Sequence, residues 1–198
     1  MTASDPLRGY FAIGAEDVSK PANAGALMRT AHAFGASWVF TLGDAVGARE
    51  LSAADTSDIA GSVPVHHFDT VADMPLPRGC RLVGVELMDD AIDLPSFRHP
   101  RCAAYVVGAE RGGLSPALVE ACDFVVKIPT RFSLNLALAA GLVCYDRVMT
   151  LGRFDPRPVA AGGPVERRPD HVHGNPVIRA RERNQASGPG GTEGGDKA

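Results

Sequence analysis

The stretch AAYVVGAERGGLSPALVEACDFVVKIP, residues 103–129, decides the fold. It holds two near-continuous apolar runs, AAYVVGA (103–109) and DFVVKIP (123–129), separated by a glycine-bearing turn and a short helical segment over 115–121. Ser115 followed by Pro116 starts that helix. The serine hydroxyl accepts from an orphan backbone N–H, and a proline at the first helical position gives up no helical bond. Strands that are apolar on both faces need cover on both faces. A helix between two such strands lets them run parallel.

The same alternation extends back to the start of the chain. Strand-like runs are YFAIGA (10–15), SWVFTLG (37–43), VPVHHF (63–68) and RLVGVEL (81–87). Helix-like segments lie at 23–35, about 50–59 and 134–150. The expectation is an α/β fold with a parallel sheet and short connections. Residues 152–198 differ in kind. They hold 15 Gly or Pro and few large apolar side chains, so a domain over 1–151 followed by a disordered, arginine-containing tail over 152–198 is expected. No internal repeat is present.

Composition narrows the function classes. The 198 residues are 45% hydrophobic and 22% charged, enough for a packed core. No apolar run approaches 18 residues and no basic start precedes an apolar segment, so a cytoplasmic chain without membrane span or signal peptide is expected. Cys80, Cys102, Cys122 and Cys144 are scattered with no C-x-x-C pair, which reads as reduced core thiols. No metal-ligand cluster stands out, and no metal is expected. The tail carries 8 Lys/Arg against 6 Asp/Glu and the first 151 residues 12 against 17, so a net charge of −3 hides an acidic body. Broad nonspecific nucleic-acid binding is disfavoured; a local basic patch is not.

Three clusters fall just after strands, where ligands bind in open parallel sheets. In KPANAGALMRTAHAFG, Asn23 can cap a helix, Gly25 suits a close backbone approach, and Leu27, Ala31 and Phe34 form a buried stripe that leaves Arg29 elsewhere. A plain cap, a tolerated glycine and a surface arginine account for these residues as well. In VVGAERGGLSP, Gly108, Glu110, Gly112 and Gly113 follow a strand. The G-x-E-x-x-G spacing is neither the dinucleotide fingerprint nor a P-loop, and an exposed turn is the plain alternative. In KIPTRFSLNLALAAG, Ser133 caps the last helix in the simplest reading, with Asn135 in its first turn.

Together these clusters resemble the three motifs of the SpoU (TrmH-type) RNA 2′-O-methyltransferases of the SPOUT superfamily. The first matches at Asn23, Gly25 and Arg29, the second at Gly108, Glu110 and Gly113, the third at Ile128, Pro129, Ser133, Leu134 and Asn135. The match covers roughly residues 9–150. IPTRFSLN is three residues shorter than the loop of many members and lacks its glycine. The chain also opens almost at the first strand, so the N-terminal RNA-binding extension of many relatives is not expected.

The resemblance implies a parallel-sheet SPOUT fold with a C-terminal trefoil knot, S-adenosylmethionine as cofactor, tRNA or rRNA as substrate, and a homodimer. It implies catalytic roles for Arg29, Asn23, Glu110, Ser133 and Asn135. Cofactor contacts follow from the motifs at Gly108, Glu110, Gly113, Ile128, Ser133 and Leu134, with Val85 and Glu86 as further contacts at the end of the 81–87 run. The hydroxyl is the weak partner in such a transfer and needs alignment and help losing its proton. Arginine is too weak an acid to serve readily as a base, so Arg29 is expected to bind phosphate and polarise the hydroxyl, with Asn23 and Glu110 orienting it. His66, His67, His171 and His173 carry no motif. Two other classes compete: a noncatalytic RNA-binding or assembly factor with the same fold, and a nucleotide-dependent enzyme using the 108–113 turn. Arg167, Arg168, Arg179, Arg181 and Arg183 offer a salt-sensitive phosphate tether, or simply a solvated tail.

Overall fold

The computed structural model describes residues 9–43, 63–108, 112–152 and 154. Seven strands form one sheet: β1 (Tyr10–Glu16), β2 (Trp38–Leu42), β3 (Val65–Phe68), β4 (Arg81–Val85), β5 (Ile92–Asp93), β6 (Cys102–Val107) and β7 (Phe124–Lys127). Among the described residues three α-helices accompany them: α1 (Pro21–Phe34), α2 (Pro116–Ala121) and α3 (Leu136–Leu151). The strand order is β3-β2-β1-β6-β4-β7-β5, and every pairing is parallel. All carboxyl ends therefore share one edge. The chain builds outward from β1 through β2 to β3, then inserts β6 between β1 and β4 and β7 between β4 and β5.

Alternation along β1 explains why its run reads as continuously apolar. Phe11, Ile13 and Ala15 pack in one core with Leu27, Met28 and Ala31 of α1 and Ala140, Val143 and Cys144 of α3. Ala12 packs in a second core with Phe40, Leu82, Val106 and Leu118 of α2. Both faces are covered, as a parallel sheet requires.

The opposite, amino-terminal edge is closed by a buried polar plug. Arg147 of α3 is 1% exposed. Its guanidinium donates to the carbonyls of Pro100 (2.5 Å), Arg101 (2.6 Å) and Tyr10 (3.4 Å) and to the Tyr105 hydroxyl (3.1 Å). His99 bridges the Tyr105 hydroxyl (2.6 Å) and the Asp146 carboxylate (3.0 Å). Arg147 also lies over the Phe11 ring at 5.2 Å. These groups satisfy backbone carbonyls where the chain enters the sheet.

Several boundaries differ from the sequence reading. β5 is a two-residue edge strand that carries too few residues to show a period. Helix α1 starts at Pro21, with Lys20 at the N-cap, so Asn23 does not cap it. Proline at the first position pre-sets the helical φ and takes the start two residues earlier. Helix α3 starts at Leu136, not 134, and its cap is Asn135, not Ser133. Helix α2 does have Ser115 at its N-cap and Pro116 at its first position. Leu27 and Ala31 are buried, Phe34 packs partly against the same core, and Arg29 is exposed. The four cysteines are free thiols. The segment near 50–59 and the tail arginines lie outside the described residues.

Candidate functional site

Where β4, β6 and β7 end, the sheet opens into a cleft of about 160 Å³, open on one side. One wall is the end of β4, with Val85, Glu86 and Leu87. A second is the turn after β6, with Val107, Gly108, Gly112 and Gly113. The third follows β7: Ile128, Thr130, Ser133 and Leu134, closed by Leu136 and Ala139 of α3. Its aliphatic walls with backbone polar groups suit part of an organic ligand, the remainder lying toward the open side.

The G-x-E-x-x-G spacing now has a physical reason. Gly108 and Gly113 lie so close that a Cβ on Gly108 would come within 2.3 Å of the Gly113 carbonyl carbon. Gly113 takes φ +71°, in the left-handed region that glycine tolerates. Glu86 holds the turn: its carboxylate accepts from Leu114 N–H (2.8 Å) and from Leu87 N–H (2.9 Å). Glu16 at the end of β1 does the same one step on, accepting from Ser115 N–H (2.7 Å) and from its hydroxyl (2.6 Å). Two carboxylates from two strand ends thus fix the start of α2. Charge-assisted bonds of this kind are the strong ones.

The loop before α3 is fixed differently. Thr130 Oγ1 lies 3.2 Å from the Ile128 carbonyl and 2.9 Å from that of Phe132, so its proton can serve either. Asn135 Oδ1 accepts from Ala137 N–H (3.0 Å) and Leu138 N–H (3.4 Å). Its amide donates to Asn23 Oδ1 at 3.0 Å. One side chain therefore caps α3 and ties the first turn of α1 to it across 112 positions. Ser133, freed from capping, lines the cleft.

Among the residues expected to hold a cofactor, Val85, Glu86, Gly108, Gly113, Ile128, Ser133 and Leu134 come together in this cleft. Glu110 lies outside the described residues. Asn23 and Asn135 meet each other beside the cleft rather than in its lining. Arg29 is on the exposed side of α1 and is not part of the lining. The sequence reading missed Glu16. The signal was present: like Glu86, it is an acid directly after a buried strand.

Acid–base candidates of other kinds are remote or inert. His67 bonds Thr41 Oγ1 (2.9 Å) on β3, at the far edge strand of the sheet. His171 and His173 lie outside the described residues. Burial pushes the Cys122 thiol up to about 11, so it is protonated at neutral pH. Among the described residues no group of three or more His, Cys, Asp or Glu could hold a metal ion. No described helix is long and apolar enough to cross a membrane.

A parallel α/β sheet with a tight glycine turn and a loop-walled cleft at its carboxyl edge defines a class of small-molecule-binding proteins. Comparison narrows it. Residues 10–145 match the model of the SpoU rRNA Methylase family. The chain is 34% identical over 146 residues to a protein of Archaeoglobus fulgidus named "Uncharacterized tRNA/rRNA methyltransferase", covering 69% of this chain and 63% of that one. It is 34% identical over 140 residues to the 23S rRNA (guanosine-2′-O-)-methyltransferase RlmB of Nitrosomonas europaea, covering 66% of this chain and 53% of that one. The structure of the SpoU methyltransferase AviRb from Streptomyces viridochromogenes in complex with AdoMet superposes with a TM-score of 0.62 at 26% identity, over 77% of this chain and 64% of that one. The chain belongs to the SpoU rRNA Methylase family. It spans between about half and two thirds of the length of these curated relatives.

Proposed function

We propose that this protein transfers a methyl group from S-adenosylmethionine to a ribose 2′-hydroxyl of tRNA or rRNA. The observation that carries this reading is the cleft itself. Residues of two separate family motifs, joined by the end of β4, wall one space. The fit of the cofactor rests on the Gly108–Gly113 turn. A Cβ on Gly108 would strike Gly113, and one on Gly113 would strike the Glu86 carboxylate, so glycine at both positions lets this wall of the cleft close up. Ile128, Leu134 and Val85 would hold the apolar part of the ligand, and the turn backbone with Ser133 its polar edges. When bound, the cofactor supplies an electrophilic methyl group.

The chain's own residues would do the rest. Asn135 sets the start of α3 and anchors Asn23, which fixes the first turn of α1. Arg29, less than two turns further along α1, would bind a phosphate of the RNA and align the hydroxyl. Glu110 is assigned the partner role to Arg29 from its motif position. The active unit is a homodimer in this reading. Leu138, Leu142 and Tyr145 support it, forming an exposed apolar stripe on α3 at 52%, 37% and 52% exposure. The trefoil knot belongs to the same reading, and the late insertion of β6 and β7 between earlier strands favours it. So do a cytoplasmic location and a catalytic domain ending near Leu151 with an arginine-containing tail. Retained RNA affinity after deletion of residues 155–198, at ~150 mM salt, would remove any role of the tail as phosphate tether.

The test of the activity is Arg29→Ala, assayed for cofactor binding and for methyl transfer to bulk RNA from cells lacking the protein. Binding should persist and kcat fall by roughly 10²- to 10³-fold, the usual loss of one charge-stabilising donor. Cofactor binding with no transfer by the unaltered protein to any tRNA or rRNA would favour the noncatalytic factor instead.

A further inference from the structure

The most exposed large apolar side chain among the described residues is Phe132, at 74%. It lies in the loop between β7 and α3, directly between residues that wall the cleft, Thr130 and Ser133. Arg131 beside it is exposed as well. The loop is ordered from within: the Thr130 hydroxyl reaches the carbonyls on either side of it, including that of Phe132 itself. Asn135 then locks the helix three residues on. An aromatic ring is thus held in solvent at the mouth of the cleft by a braced backbone. Left as surface, it gains nothing from that bracing.

We propose that Phe132 is the stacking platform for the base of the target nucleotide, or of its immediate neighbour, with Arg131 on the adjoining phosphate. The proposal rests on the methyltransferase reading and names the form of its substrate: a nucleotide splayed out of a loop or other single-stranded segment. The chemistry favours this occupant. A ribose 2′-hydroxyl can reach a walled cleft only if its nucleotide leaves the surrounding stack, and unstacked bases are recognised on aromatic rings and arginine planes. The neighbouring charge also matches. A guanidinium beside an exposed ring fits a phosphodiester, whereas charges are depleted in the core of a protein–protein interface. The apolar stripe on α3, Leu138, Leu142 and Tyr145, has no such companion within its spacing and is better suited to a second copy.

The experiment compares the unaltered protein with Phe132→Ala, Phe132→Leu and Phe132→Trp, using total RNA from cells lacking the protein as substrate. Stacking by one base sets the expected size: KM for RNA rises roughly 5- to 100-fold in Phe132→Ala. Phe132→Leu should share that defect and Phe132→Trp should restore most of the affinity, since the ring face is what matters. Cofactor affinity and sedimentation coefficient should stay unchanged in all three. Unchanged KM in Phe132→Ala would overturn the proposal while leaving the methyltransferase reading intact. So would full rescue by leucine, which indicates simple apolar contact, or a shift toward monomer, which assigns Phe132 to the subunit interface. Absence of transfer by the unaltered protein would instead sink the reading on which the proposal rests.

Discussion

The two edges of the sheet are built on opposite rules. At the amino-terminal edge, Arg147, His99 and Tyr105 are all buried, and one guanidinium gathers the carbonyls of Tyr10, Pro100 and Arg101. At the carboxyl edge, Gly108 and Gly113 line an open cleft, and carboxylates from Glu86 and Glu16 accept from the Leu114 and Ser115 N–H groups just beyond them. Sealing one edge removes polar groups from water and pairs most of them, leaving the Arg147 Nε and the Tyr10 hydroxyl buried without a hydrogen-bond partner among the described residues. Leaving the other edge unsealed keeps polar backbone available to a ligand. Stability and function are thus assigned to different ends of the same strands.

The comparison is most sharply tested by breaking the sealed end. Arg147→Met leaves three carbonyls without their donor, at about 1–3 kcal/mol for each group that stays buried. A loss of about 3 kcal/mol or more in unfolding free energy, measured in urea, is expected. Cofactor affinity of the folded fraction should not change. A large loss of affinity with little loss of stability would erase the division between the edges.

A smaller effect separates two neighbours at the open end. Asn135→Ala removes the cap of α3 and its bond to Asn23, and should cost ~1 kcal/mol of stability. Ser133→Ala removes no cap and should cost under ~0.5 kcal/mol, yet weaken cofactor binding. Equal stability losses would restore Ser133 as a cap. The smallest effect is one of pH. Burial lowers the His99 pKa below its ordinary value near 6.5, against the opposing pull of Asp146, while Arg147 adds to the lowering. The unfolded chain then binds a proton that the folded chain refuses. The stability from His99 is therefore present above about pH 6.5 and lost as pH falls from there through the folded pKa. His99→Gln should flatten this part of the profile in urea midpoints between pH 8 and 5.5; an unaltered slope would remove His99 as its source.

Much of this was legible in the residues. Near-continuous apolar runs announced a sheet covered on both faces because Phe11, Ile13 and Ala15 of β1 pack in one core while Tyr10 and Ala12 pack in the other. Gly108 and Gly113 stood out as glycines just after a strand, and a Cβ on either would strike protein atoms 2.3 Å away. What was not legible was long-range. Nothing near Asn135 says that Asn23 lies beside it, 112 positions away, and so capping fell by default to Ser133. Glu16 looked like the ordinary end of a strand until Ser115 arrived at its carboxylate. Nothing in the sequence marks Arg147, since its main partners are backbone carbonyls, which no sequence displays.

The central claim is that the cleft between the β4 end, the Gly108–Gly113 turn and the β7–α3 loop holds S-adenosylmethionine. Calorimetric titration of the cofactor into the unaltered protein and into Gly108→Val tests it most directly, with the circular dichroism of each protein recorded alongside. A side chain at position 108 collides with Gly113, so binding to a protein of unchanged helix content should weaken by roughly 100-fold or more, about 2.7 kcal/mol. Equal affinity of the two folded proteins, or no binding by the unaltered one, would contradict the account.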